Sequence, residues 1–168
     1  IAALMIRNFP EYYPIFAEKS FTYSDITQRN RNPLLYRNIG ADGLKTGHTE
    51  NAGYGLTASA IRGDQRLVMV IAGLDSSRER GDEAERLLSW AFRTFATYRL
   101  GSAGETISEA EVWLGQSLKV PLMLGDDLLV SMARADRARM KVEAIYDGPV
   151  PAPVSKGQQV GRLVVTAD

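Results

Sequence analysis

Apolar positions alternate with polar or small ones through Tyr54, Leu56, Ala58 and Ala60, the period of a strand with one buried face. Gly63-Asp64-Gln65 then marks a turn, and Leu67–Ala72 is a continuous apolar run. Together they predict a β-hairpin whose second arm is a central strand covered on both faces. Ahead of it, Gly43-Leu44-Lys45-Thr46-Gly47-His48-Thr49 follows the turn Ala41-Asp42-Gly43 and predicts another strand of the same antiparallel sheet. The period then lengthens. Ala84, Leu87, Leu88, Ala91, Phe95 and Tyr98 fall on one helical face. They predict an amphipathic helix from the capping-box-like Asp82-Glu83-Ala84-Glu85 to about Arg99, stopped by Gly101 and packed on the sheet.

Upstream, residues 1–7 predict the last turns of a helix begun earlier, and Asn8-Phe9-Pro10-Glu11 a new helix start. Tyr12, Tyr13, Ile15 and Phe16 form an aromatic cluster expected to pack on the sheet. Phe21–Ser24 alternates as a short strand, and Gln28–Pro33 reads as a polar loop. Beyond Gly101-Ser102-Ala103-Gly104 helical periodicity ends. Short apolar runs follow at 106–114, 117–122, 128–132, 140–146 and 159–165, divided by turn signals, the spacing of a small all-β domain. Arg134–Arg139 reads as a charged turn and Pro149–Pro153 as a stiff connector or edge segment. The expected fold class is α+β, with one domain over 1–101 and a second, all-β one over 102–168.

Charge and composition narrow the chemistry. Twenty basic residues balance twenty acidic ones, so no basic surface speaks for nucleic acid. There is no cysteine and a single histidine, His48, which excludes Cys/His metal sites, thiol nucleophiles and disulfides. No apolar run reaches the length of a membrane span, and the opening residues lack the pattern of a signal peptide. Cysteine usage fits cytoplasm and periplasm alike.

Lys45-Thr46-Gly47 on a strand has a clear chemical use. The ammonium is a fixed positive charge, the hydroxyl can bind an anionic group, and the glycine admits a ligand close to backbone. A solvated strand lysine is the plain alternative. The triplet is one of the signatures of penicillin-binding proteins and serine β-lactamases.

The order of motifs extends that likeness. Phe9-Pro10-Glu11-Tyr12-Tyr13, Asn30-Arg31-Asn32 with Leu34-Leu35, Asp42–Thr49, Ala52-Gly53-Tyr54, Glu83–Leu88 with Trp90 and Phe92, and Lys156–Gly161 together resemble the low-molecular-mass D-alanyl-D-alanine carboxypeptidases. The resemblance implies the C-terminal part of a transpeptidase/β-lactamase-like domain followed by a β-sandwich. It implies cleavage of the D-Ala-D-Ala end of peptidoglycan stem peptides through an acyl-serine that penicillin traps, without a cofactor. In that frame Lys45 supports the serine, Thr46 and Gly47 meet substrate, and the His48 backbone N–H is an oxyanion donor. Arg31 and Arg80 would approach the substrate carboxylate; loop-tethering for Arg31 and a structural ion pair for Arg80 are the plain alternatives.

The 168 residues hold neither Ser-x-x-Lys nor Ser-x-Asn. The chain therefore reads as a fragment, inactive alone, with both motifs upstream of Ile1 and a membrane-anchoring amphipathic helix beyond its end. The expected setting is periplasmic and peripheral to the cytoplasmic membrane. Expected partners are stem peptides, β-lactams, and either the missing N-terminal part or a second copy. A non-catalytic scaffold of the same fold and a β-lactamase stay open as alternatives.

Overall fold

The computed structural model describes residues 1–167 and divides into two units, Ile1–Thr94 and Phe95–Asp168. The first is built on a three-stranded antiparallel sheet of β3 (Ala41–Thr49), β4 (Gly53–Arg62) and β5 (Gln65–Leu74), in that order. The register sets Leu56 opposite Ile71, Ala58 opposite Met69 and Ala60 opposite Leu67. Side chains directly opposite in an antiparallel pair share a face. That face carries α2 (Ser77–Thr94), and the core between them joins Leu56, Ala58 and Ala60 to Ala84, Leu88 and Phe92. Small alanines on β4 let the helix approach, while Leu88 and Phe92 fill the space.

The strand order corrects one expectation. Among the described residues Leu67–Ala72 is not a central strand covered on both faces; β4 is central, and β5 is an edge of the three. Leu67, Met69 and Ile71 pack towards the core while Val68 and Val70 are 42% and 71% exposed. A run apolar on every residue hid an ordinary one-sided strand.

Helix α2 also differs at both ends. It begins at Ser77 rather than at Asp82. The Ser76 hydroxyl accepts the Glu79 N–H (3.0 Å), and the Glu79 carboxylate accepts the Asp75 N–H (2.8 Å). This serine–glutamate exchange is the start signal, and Gly81 masked it. A Cβ on Gly81 would lie 3.0 Å from the Arg37 guanidinium and 3.2 Å from the Pro33 ring. The helix tolerates a poor helix former because it packs closely there on the 3₁₀ turn Pro33–Tyr36. Arg37 locks that contact, donating to the Gly81 carbonyl (2.9 Å) and pairing with Asp82 and Glu85.

Before the sheet come α1 (Ala2–Asn8), a 3₁₀ turn (Tyr13–Ala17) and a hairpin of β1 (Ser20–Tyr23) and β2 (Ile26–Arg29). The polar loop expected from Gln28 thus starts only after Arg29. Of the aromatic cluster, Tyr13 is buried, but Tyr12 and Ile15 are more than half exposed.

The second unit is all-β. The helix ends at Thr94, and Phe95 and Tyr98 belong to β6 (Phe95–Gly101), which pairs with β9 (Leu128–Ala133). β7 (Thr106–Trp113) lies between β8 (Lys119–Met123) and the short parallel β11 (Val150–Pro151), and β10 (Met140–Tyr146) pairs with β12 (Gly161–Ala167). Its core gathers Ala110, Leu122 and Val150 with Val120, Tyr146, Val154 and Val160 around them. Arg134–Arg139 forms a 3₁₀ turn.

Candidate active site

Strand β3 is the other edge of its sheet among the described residues, so its outer backbone groups face away from any strand. Its alternation places Leu44 and Thr46 inward, paired with Ala58 and Leu56, and turns Lys45 to the opposite face across from Thr57. Thr46 is buried; Lys45 is exposed and its ammonium donates to the Thr46 carbonyl at 2.6 Å.

A cavity of about 360 Å³ opens beside this strand, lined by Leu44, Lys45 and Thr46 on one side, Gln28, Asn30 and Arg31 on another, and Ile15 and Phe16. Neither Lys45 nor Arg31 forms an ion pair among the described residues. Two cations of one sign therefore share a concave wall with no carboxylate to balance them. Such an arrangement favours an anion, and apolar walls strengthen the field it meets.

The start of β3 is pinned by a polar network. The register slips between Ala41 and Gly43, leaving Asp42 out of the ladder. Its carboxylate accepts from Arg66 (2.8 Å) and from the Tyr13 hydroxyl (3.3 Å), and Arg66 also donates to Ser59 (2.5 Å). Burial pushes the Tyr13 phenol up, and the neighbouring Asp42 charge adds to it.

The remaining sequence-named residues lie elsewhere. Gly47 and His48 continue β3 past the cavity lining, and nothing stands within 4 Å of where a Cβ on Gly47 would be. His48 pairs with Tyr54 on β4, their rings 4.0 Å apart. Arg80, on the first turn of α2, is buried with its guanidinium carbon 5.5 Å from the Tyr54 ring centroid. It donates to the Ser77 hydroxyl (3.0 Å), and its Nε has no hydrogen-bond partner among the described residues. Burial pulls its pKa below the ordinary arginine range, yet a guanidinium stays charged at neutral pH. The structure thus brings Lys45, Thr46 and Arg31 to one cavity and sets His48, Tyr54 and Arg80 in a separate stack.

Sequence reasoning named Tyr54, Asn30 and Asn32 only as parts of motifs and gave none of them a role. Asn32 is 1% exposed and donates to the Gly43 carbonyl at 2.8 Å. The available signal was Asn32 directly before Pro33, a cap-like position.

Comparison with known proteins finds relatives of both units. Residues 1–76 match the family described as D-alanyl-D-alanine carboxypeptidase, and residues 95–168 match the penicillin-binding protein 5 C-terminal domain. The chain is 36% identical over 165 residues to D-alanyl-D-alanine carboxypeptidase DacD of Salmonella typhimurium, covering 97% of this chain and 42% of that protein. It is 39% identical over 171 residues to DacA of Haemophilus influenzae, covering 100% of this chain and 44% of that one. The solved penicillin binding protein 5 from Haemophilus influenzae superposes with a TM-score of 0.90 at 38% identity, over 99% of this chain and 49% of that structure. The chain thus spans less than half the length of these relatives.

Proposed function

Because this chain belongs to the D-alanyl-D-alanine carboxypeptidase family, we propose that its open β3 edge and the cavity beside it are one wall of a serine-type D-Ala-D-Ala carboxypeptidase site. The observation that carries this is the pair of unneutralised cations, Lys45 and Arg31, lining one cavity with Thr46. A stem peptide ending in D-Ala-D-Ala carries a terminal carboxylate, and an edge strand offers it backbone partners. Thr46 and Arg31 bind that carboxylate, and Gly47 leaves room for the peptide.

Family membership implies the reaction. A serine hydroxyl attacks the carbonyl carbon of the penultimate residue, and the oxygen becomes an oxyanion that the His48 backbone N–H stabilises. The C–N bond breaks, the terminal D-alanine leaves with the proton taken from the serine, and water hydrolyses the acyl-serine ester. Lys45 holds the serine side of the site at positive potential. A β-lactam ring presents an acyl carbon and a carboxylate of its own, and its opened ester is trapped. The 168 residues contain no Ser-x-x-Lys; the serine belongs to sequence outside them, and the chain by itself binds without cleaving. Activity resides outside the cytoplasm, in the periplasm at the membrane surface, where stem peptides are.

The match of residues 95–168 to a penicillin-binding protein domain favours the carboxypeptidase over a β-lactamase. A scaffold role would leave Lys45 and Arg31 without work. The test is release of D-alanine from a peptide ending in D-Ala-D-Ala by the full-length gene product. Lys45→Ala is expected to lower kcat/KM about 100-fold or more, as loss of a transition-state contact does. An unchanged rate would remove Lys45 from the reaction.

A further inference from the structure

Arg31 stands between two asparagines whose side chains are tied into the fold. The Asn30 amide donates to the carbonyls of Phe16 (3.3 Å) and Glu18 (2.9 Å), and its side-chain oxygen accepts the Asn32 N–H (2.9 Å). The Asn32 oxygen accepts the Leu34 N–H (3.1 Å) and so caps the 3₁₀ turn; its amide crosses to the Gly43 carbonyl at 2.8 Å. Gly43 lies just before Leu44-Lys45-Thr46, on the outer edge of β3. A single carboxamide thus joins the turn that carries Arg31 to the strand that carries Lys45 and Thr46, and it is 1% exposed. A buried carboxamide with both ends bonded is held to one geometry, because each unmade bond there is costly.

We propose that Asn32 is a positioning residue: it sets the span between Arg31 and the Lys45-Thr46 strand, so that one ligand carboxylate reaches both walls. The inference rests on the carboxylate reading of the cavity. Its chemistry makes the bridge separable from the cap. An aspartate at this position keeps an oxygen for the Leu34 N–H but brings acceptor to acceptor at the Gly43 carbonyl. A serine is too short to span the gap while still able to cap.

The experiment compares acylation of the full-length protein by benzylpenicillin and by its uncharged methyl ester. Asn32→Asp, Asn32→Ser, Arg31→Gln and the double variants with Arg31→Gln are measured beside the parent. The expected result is a loss of about tenfold in the second-order rate for benzylpenicillin in each single variant, the size of one buried hydrogen bond. The ester rate should stay unchanged, and the double variants should lose no more than Arg31→Gln alone. Equal losses on both ligands would make Asn32 a general folding residue, and parental rates or additive losses would uncouple it from Arg31; any of these overturns the proposal. The serine variant carries the test if the aspartate variant does not fold. Failure of the underlying reading has a different signature. Arg31→Gln would then treat both ligands alike, or the parent would acylate with neither, and the role of Asn32 would fall with it.

Discussion

Two glycines at opposite ends of the motif strand do different work. A Cβ on Gly43 would meet the Tyr13 hydroxyl at 2.8 Å and Phe16 at 3.2 Å, so Gly43 is small because the 3₁₀ turn lies against it. Gly47 has nothing within 4 Å of a Cβ, so its smallness serves no contact within the chain. Gly43→Ala should cost roughly 1–3 kcal/mol of stability, the range for overpacking. Gly47→Ala should leave the melting temperature unchanged while slowing acylation of the full-length protein, as the methyl group intrudes where a ligand lies. Thermal scans and acylation rates on both variants check this, and a destabilised Gly47→Ala would refute it. At this scale the motif singled out Lys45, Thr46 and Gly47 by type and order, and the fold sets Lys45 and Thr46, though not Gly47, on the cavity wall. Asn32 was not legible. Its partner Gly43 is brought near by folding, and an asparagine in a polar loop ordinarily signals a turn.

At the scale of elements, periodicity gave the hairpin and the existence of α2, but not where that helix begins or ends. Ser76 and Glu79 start it through side-chain bonds that a glycine at 81 obscures, and Phe95 and Tyr98 continue the helical period by coincidence while lying on β6. Tertiary pairing of β6 with β9 wins over local pattern there. In the all-β unit, Asp127 ties a turn to a strand. It accepts the Ala103 N–H (2.9 Å) and the Arg99 guanidinium (2.6 Å), and these hold its carboxyl below the ordinary 3.8, the backbone bond being the larger cause. A depressed carboxylate contributes stability fully above its unfolded value and loses it as pH falls through the folded one. Melting of the second unit should therefore fall with pH below about 4, and Asp127→Asn should flatten that part of the profile. An unchanged slope in the variant would remove Asp127 as the cause.

For the whole molecule, the division of the chain at Thr94/Phe95 falls within a stretch whose sequence has a helical period, so the composition change at Gly101 is the boundary that sequence alone offers. The outer face of β5 leaves Val68 and Val70 exposed on a strand that has β4 as its one sheet neighbour among the described residues, a surface that invites pairing with another chain. The 168-residue chain alone should elute on sizing as dimers or larger species; a monodisperse monomer would contradict this. The central claim is that β3 and its cavity belong to an acylating site, and intact-mass spectrometry of the full-length gene product with benzylpenicillin addresses it most directly. The account predicts one covalent adduct on the parent protein, located on a serine outside residues 1–168, and its loss or strong slowing in Lys45→Ala. A parent protein that stays at its own mass, or a Lys45→Ala variant that acylates at the parental rate, would contradict it.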